Sequence, residues 1–121
     1  MPNWCENEVT VSKGEASEED WKEFLDIMST PQEGLFQALV PHPTDKEYDW
    51  YDWNITNWGT KWDVYTEDMD LLDIYPLYVT MHFMTAWSPP EGIYQKLVEK
   101  NFEVCWFYKE PGLQFSGWLP D

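Results

Sequence analysis

The chain has 121 residues, which suits one domain around one core and is too short for a second. Its 23 acidic residues face seven cations, all of them lysines, for a formal net charge of -16 with no arginine; a surface of that sign repels polyanions, which argues against direct binding to DNA, RNA or an anionic membrane and favours a basic partner. No run approaches the roughly 18 to 20 apolar residues of a membrane span, and the start, MPNWCENEVTV, lacks the basic and apolar regions of a signal peptide, so the expected location is the cytoplasm and the two cysteines are expected to be free thiols.

In chain order, WCENEVTVS alternates with period two and predicts a first strand over residues 3–12, with Cys5, Asn7, Val9 and Val11 facing inward. SEEDWKEFLDIM then opens with Ser17 three residues before Asp20, and Trp21, Phe24, Leu25 and Met28 fall at helical spacing, giving an amphipathic helix over about 18–29. The following segment carries three prolines and weak periodicity, and reads as a long acidic, aromatic connector at about 30–62 with one apolar anchor turn at Leu35 to Val40. A short strand is expected around Asp63 to Thr66, and EDMDLLD as a loop or a helical turn. LYVTMHFMTA predicts a central strand over 77–86, because both of its alternating sets are largely apolar. SPPEGIYQKLVEKN predicts a second helix with Ser88 as N-cap, Pro89 at the first helical position, Glu91 closing a capping box, Ile93, Tyr94, Leu97 and Val98 as the buried stripe, and Asn101 as a left-handed stop. FEVCWFYKEPGLQFSGWL predicts a terminal hairpin turning at Pro111-Gly112. Strand, helix, strand, strand, helix, strand and one extra strand make an α+β fold of the ferredoxin-like split βαβ type, with two helices on one face of an antiparallel sheet, over residues 1–121 as a single domain.

The constellations that carry chemistry are sparse. A disulfide would need Cys5 and Cys105 on one face of the sheet, but Cys5 shares its face with Val9 and Val11 whereas Cys105 shares one with Glu103 and Lys109, so two unlinked thiols are expected. His42, His82 and the cysteines show no metal-ligand spacing; His82 reads as a sheet-face residue and His42 as a loop residue. No GxSxG, phosphate-binding glycine run or HExxH is present, so neither catalysis nor a cofactor is expected. RNA recognition modules share this topology and stack bases on sheet aromatics, which makes Tyr78 worth comparing, but their basic framing is missing. Rings on the outer face are expected to lie under the connector or a partner.

The acids cluster around the first helix and again in the middle of the chain. There Asp45, Glu47, Asp49, Asp52, Asp63, Glu67, Asp68, Asp70 and Asp73, opposed only by Lys46 and Lys61, stand among Trp50, Tyr51, Trp53 and Tyr65. The plain reading is a solvated surface. The sharper one is a binding surface that mimics nucleic acid, since duplex DNA carries one charge per roughly 1.7 Å of axis and a carboxylate-bearing scaffold can fill a groove built for phosphates. Asp45, Glu47, Asp49, Trp50, Asp52, Trp53, Glu67, Asp68, Asp70 and Asp73 are the candidate partner-binding residues. Within NWGTKWD, residues 57–63, Trp58 and Trp62 read as core-facing rings that pin the connector to the sheet, with Gly59 allowing the turn and Lys61 pairing with Asp63.

MPNWCENEVTV, NWGTKWD, FMTAWSPP and YKEPGLQFSG together resemble the YubB-type ferredoxin-like proteins of bacteriophages and conjugative plasmids, in blocks that span nearly the whole chain. The resemblance implies a ferredoxin-like domain of no assigned activity carried by mobile elements, and it supplies no site residues. Joined to the charge, it leads to the expectation of an inhibitor of a host defence system, anti-CRISPR or anti-restriction, whose partner is a basic protein such as a CRISPR effector or a restriction enzyme subunit. Two alternatives stay open: a non-catalytic interaction module binding through an aromatic surface, and a protein that binds or sequesters a small molecule in an aromatic pocket beneath NWGTKWD.

Overall fold

The computed structural model describes residues 4–29, 34–44, 47–64, 69–75, 78–110 and 115–119, with residues 70–75 described through their backbone. The elements are β1 (Trp4–Ser12), α1 (Glu18–Ser29), α2 (Leu35–Leu39), α3 (Trp50–Asn57), β2 (Asp70–Tyr75), β3 (Tyr78–Ala86), α4 (Glu91–Glu99), β4 (Glu103–Glu110) and β5 (Phe115–Leu119). The strands form one antiparallel sheet in the order β2-β3-β1-β4-β5, so the fold is α+β.

The period-two pattern of β1 works as expected: Cys5, Asn7, Val9 and Val11 are buried, while Trp4 and Glu8 are exposed. Val79, Met81, Phe83 and Thr85 of β3 and Trp106 and Tyr108 of β4 are buried as well. A small interior void lined by Val9, Met81, Phe83, Trp106, Phe24, Phe36 and Leu97 shows that α1, α2 and α4 pack on this one face. The side chain of buried Asn7 is fully used: its amide donates to the carbonyls of Cys5 and Phe83 and to Thr85 Oγ1, and its Oδ1 accepts from Trp106 Nε1 at 2.9 Å.

Helix α1 begins where its sequence said, with Ser17 Oγ accepting from Asp20 N at 3.1 Å. Trp21 and Phe24 bury against Phe102 in a cluster of three rings whose centroids lie 5.4 to 5.7 Å apart. Asn101 takes the expected left-handed turn, φ 69°, after α4. The start of α4 differs from expectation: the N-cap is Pro90, with no side-chain cap, and Ser88 Oγ donates instead to the carbonyl of Gly59 at 3.0 Å. Ile93 and Leu97 are buried and Tyr94 half-buried, but Val98 is exposed, because the stripe on this short helix is one residue narrower than its apolar pattern.

Two further differences concern the middle of the chain. The strand pairing with β3 is Asp70–Tyr75, which overlaps the end of the stretch read as a loop or helical turn and runs past it; of the strand expected at Asp63 to Thr66, Asp63 and Val64 belong to no strand and the other two residues lie outside the described ones. A bulge between Leu71 and Asp73 breaks the alternation by which the sequence would have announced that strand. The connector also contains a helix, α3, where no periodicity predicted one. The structure thus has four helices rather than two among its described residues. The turn expected at Pro111-Gly112 lies outside the described residues, although β4 and β5 pair antiparallel as a hairpin would.

The outer face of the sheet carries no described element. Trp4, Tyr78, Met84 and Trp118 are exposed there, because α2 and α3 lie on the helical side; of the cover expected from the connector or a partner, the described connector supplies the ring of Trp62 beside Trp4.

Candidate functional site

Helix α3 is capped by Asp49, whose carboxylate accepts from the N–H groups of Tyr51 at 2.9 Å and Asp52 at 3.4 Å. Its inner side rests on a ring hub. His42 lies against Trp53 and Trp58, centroids 4.4 and 4.9 Å away, and its nitrogens bond Tyr48 Oη at 2.8 Å and Asn54 Oδ1 at 2.6 Å. The loop histidine of the sequence is therefore the tie between two parts of the connector. Tyr51 and Ile55 on the outer side of α3 are exposed, and so is Trp50 at its start, by half its surface. Glu47, Asp49 and Asp52 are exposed around them, and none of these carboxylates is ion-paired to a described lysine.

Of the candidate residues, Glu47, Asp49, Trp50 and Asp52 are exposed and lie together as a patch at the N-terminal end of α3. Trp53 is half-buried in the ring hub and supports the patch from beneath. Asp45, Glu67 and Asp68 lie outside the described residues; Asp70 and Asp73 are placed by backbone alone, opposite His82 and Thr80 on the edge strand β2. Tyr51 and Ile55 join the patch, and Ile55 carried no signal in the sequence, because only a helix brings it beside Tyr51.

The NWGTKWD segment departs from its expected role in part. Trp58 is core, 3% exposed, with Nε1 donating to the Val40 carbonyl at 2.9 Å. Gly59 holds φ 84°, and a Cβ there would come within 2.6 Å of Glu91 N, so both conformation and space require glycine. Trp62 is not core-facing. It is 38% exposed and lies 6.2 Å from the ring of Trp4, and the two rings line a cleft of about 530 Å³ with Asp63, Val64, Met84, Thr85 and Ala86.

Lys61 does not pair with Asp63. Its ammonium lies 4.6 Å from the ring centre of Trp62 and 5.6 Å from that of Tyr51. Asp63 is occupied elsewhere, its Oδ1 accepting from Phe36 N at 2.6 Å and Val64 N at 2.7 Å and its Oδ2 from Gln37 N at 2.9 Å. It caps α2, whose own N-cap, Gly34, has no side chain to offer. Burial pushes the Asp63 carboxyl above its ordinary value of 3.8, opposed by those N–H groups and by His42.

The cysteines behave as parity required: both are free, Cys5 buried and Cys105 exposed. Burial, followed by the charges of Glu110 and Glu6 and opposed by a hydrogen bond with Thr85, raises the Cys5 thiol to about 11. His82 lies on the outer sheet face, 3.9 Å from Glu6, which also reaches Lys109 at 3.7 Å. Among the described residues no group of three or more His, Cys, Asp or Glu is placed to hold a metal, and no helix is long and apolar enough to cross a membrane.

No family model matches the chain, and neither the curated proteins nor the solved structures contain a match to it.

Proposed function

We propose that the chain is a non-catalytic inhibitor carried by a mobile element, which docks its acidic, aromatic surface into a basic groove of a host nucleic-acid-handling protein, a CRISPR effector or a restriction enzyme subunit. The observation that carries this reading is the α3 patch. Trp50, Tyr51 and Ile55 stand exposed among Glu47, Asp49 and Asp52, with no described lysine pairing those carboxylates. Large rings supply desolvated contact area at the centre of an interface, and unpaired carboxylates around them supply the field that draws a basic surface and displaces phosphate. A chain of net charge -16 without arginine suits that task.

The finer fold assignment belongs to the same reading. Strands β2-β3-β1-β4 in antiparallel order, with α1 and α4 as the crossovers, support a ferredoxin-like sandwich, to which α2, α3 and β5 are additions. That architecture and the four sequence blocks support membership of the YubB-type proteins.

The test is competition. Purified CRISPR effectors and restriction enzymes are assayed for DNA binding with and without the protein, at low and high salt. Inhibition that weakens steeply with salt, and that falls in the triple variant Glu47→Gln, Asp49→Asn, Asp52→Asn, supports the reading. Asn remains a good helix cap, so this variant keeps α3. Inhibition indifferent to both salt and the triple variant would remove nucleic-acid mimicry, and no inhibition of any of them would remove the function.

A further inference from the structure

The α3 patch does not end at the helix. Tyr51 lies under the Lys61 ammonium, the same ammonium lies over Trp62, and Trp62 faces Trp4 across the cleft. The Lys61 ammonium, shared by Tyr51 and Trp62, thus links the proposed docking surface to a concave site of about 530 Å³, within the roughly 300 to 1,000 Å³ of ligand pockets. Lys61 itself does not line that cleft.

We infer that the cleft between Trp4 and Trp62 receives a cationic side chain, the guanidinium or ammonium of an arginine or lysine projecting from the basic partner. This rests on the reading of the chain as a binder of a basic protein, and names the contact that reading lacks. Tryptophan offers the strongest ring face for a cation, and two indoles with centroids 6.2 Å apart line this one cleft. Met84, Val64 and Ala86 supply an apolar wall for the aliphatic stem, and Asp63, whose oxygens are held by backbone N–H groups of Phe36, Gln37 and Val64, is the one acidic residue of the described lining. The chain already shows the chemistry on itself, with Lys61 holding its ammonium 4.6 Å from the Trp62 ring centre. Charge complementarity selects a cation over a neutral or anionic occupant in so acidic a protein.

The test uses the full chain labelled with ¹⁵N, following the indole N–H signals during titration with Nα-acetyl-arginine amide and, separately, with its neutral isostere Nα-acetyl-citrulline amide. The expected result is saturable movement of the Trp4 and Trp62 indoles, with Trp58 and Trp106 still, and citrulline about tenfold weaker. Equal responses to the two compounds, or movement at neither Trp4 nor Trp62, overturn the proposal. Trp62→Leu abolishes the response while circular dichroism stays native. Tetramethylammonium serves as the third arm: binding at least about tenfold tighter than the arginine amide would identify a free organic cation as the occupant and overturn the assignment to a protein side chain. The outcome is separable from the competition assay, because the cleft is read with a small cation alone and the α3 patch is read with carboxylates the cleft does not contain.

Discussion

The carboxylate of Asp63 accepts the backbone N–H of Phe36 at 2.6 Å, so that a loop residue caps a helix lying 27 residues earlier in the chain. Replacing Asp63 with alanine leaves the N–H groups of Phe36 and Gln37 without partners and is expected to cost about 1 to 2 kcal/mol, measured by urea denaturation. The pH dependence follows from burial, which raises the folded pKa above 3.8. Between 3.8 and the folded value the folded chain binds the Asp63 proton more readily than the unfolded chain, so this contribution to stability grows as pH falls and is lost as pH rises through the folded pKa. The stability difference between wild type and Asp63→Asn should therefore move in favour of wild type on acidification through that window. A difference that moves the other way would place the folded pKa below 3.8.

The two tryptophans of NWGTKWD should separate cleanly. Trp58→Ala removes a buried ring that touches Phe36, His42 and Trp53 and donates to Val40, and should cost about 3 to 5 kcal/mol. Trp62→Ala removes a ring that is over a third exposed, and should cost no more than about 1 kcal/mol. Equal losses in thermal denaturation would return Trp62 to a core role.

Thiol reactivity reports the parity of the sheet. Native protein at pH 8 should react with an aromatic disulfide reagent at Cys105 alone, since Cys5 is buried with its thiol raised to about 11, and the second thiol should appear only in denaturant. Cys105→Ser should abolish the native reaction.

Asn7 and Trp106 should behave as a coupled pair. Asn7→Leu strands the buried Trp106 Nε1–H, while the Thr85 hydroxyl keeps its bond to the Ser88 carbonyl, with an expected loss of about 1 to 3 kcal/mol. Adding Trp106→Phe to Asn7→Leu should cost less than Trp106→Phe does in the wild-type background, because the donor left stranded is then gone. A double-mutant cycle with zero coupling would show that the bond contributes nothing.

How far the sequence can be read depends on where each signal resides. Val9 and Val11 announce β1, and Trp21, Phe24 and Met28 announce α1, because burial on one side of an element imposes that element's own period. Helix α3 stayed hidden because Trp50, Tyr51, Trp53 and Ile55 surround it; it serves the ring hub on one side and solvent on the other, and no single apolar stripe forms. Its one local sign was the cap, Asp49. The bulge in β2 erased the alternation there. The Trp4–Trp62 cleft is invisible to any local pattern, since one ring belongs to a strand and the other to a loop that tertiary bonds bring beside it. The candidate acids were legible as a composition, but only the helix showed that Glu47, Asp49 and Asp52 share their patch with Tyr51 and Ile55.

The position of β1 in the sheet also sets an order of events. Its residues leave the ribosome well before those of β3 and β4, yet Glu8 lies opposite His82 on one side and Phe107 on the other. Neither ladder can form until those distant segments have been synthesised, so the nascent chain must hold an apolar strand unpaired for most of its translation. Its own acids, Glu6 and Glu8, alternate with the inward set, and like charges on a strand oppose its pairing with another copy of itself.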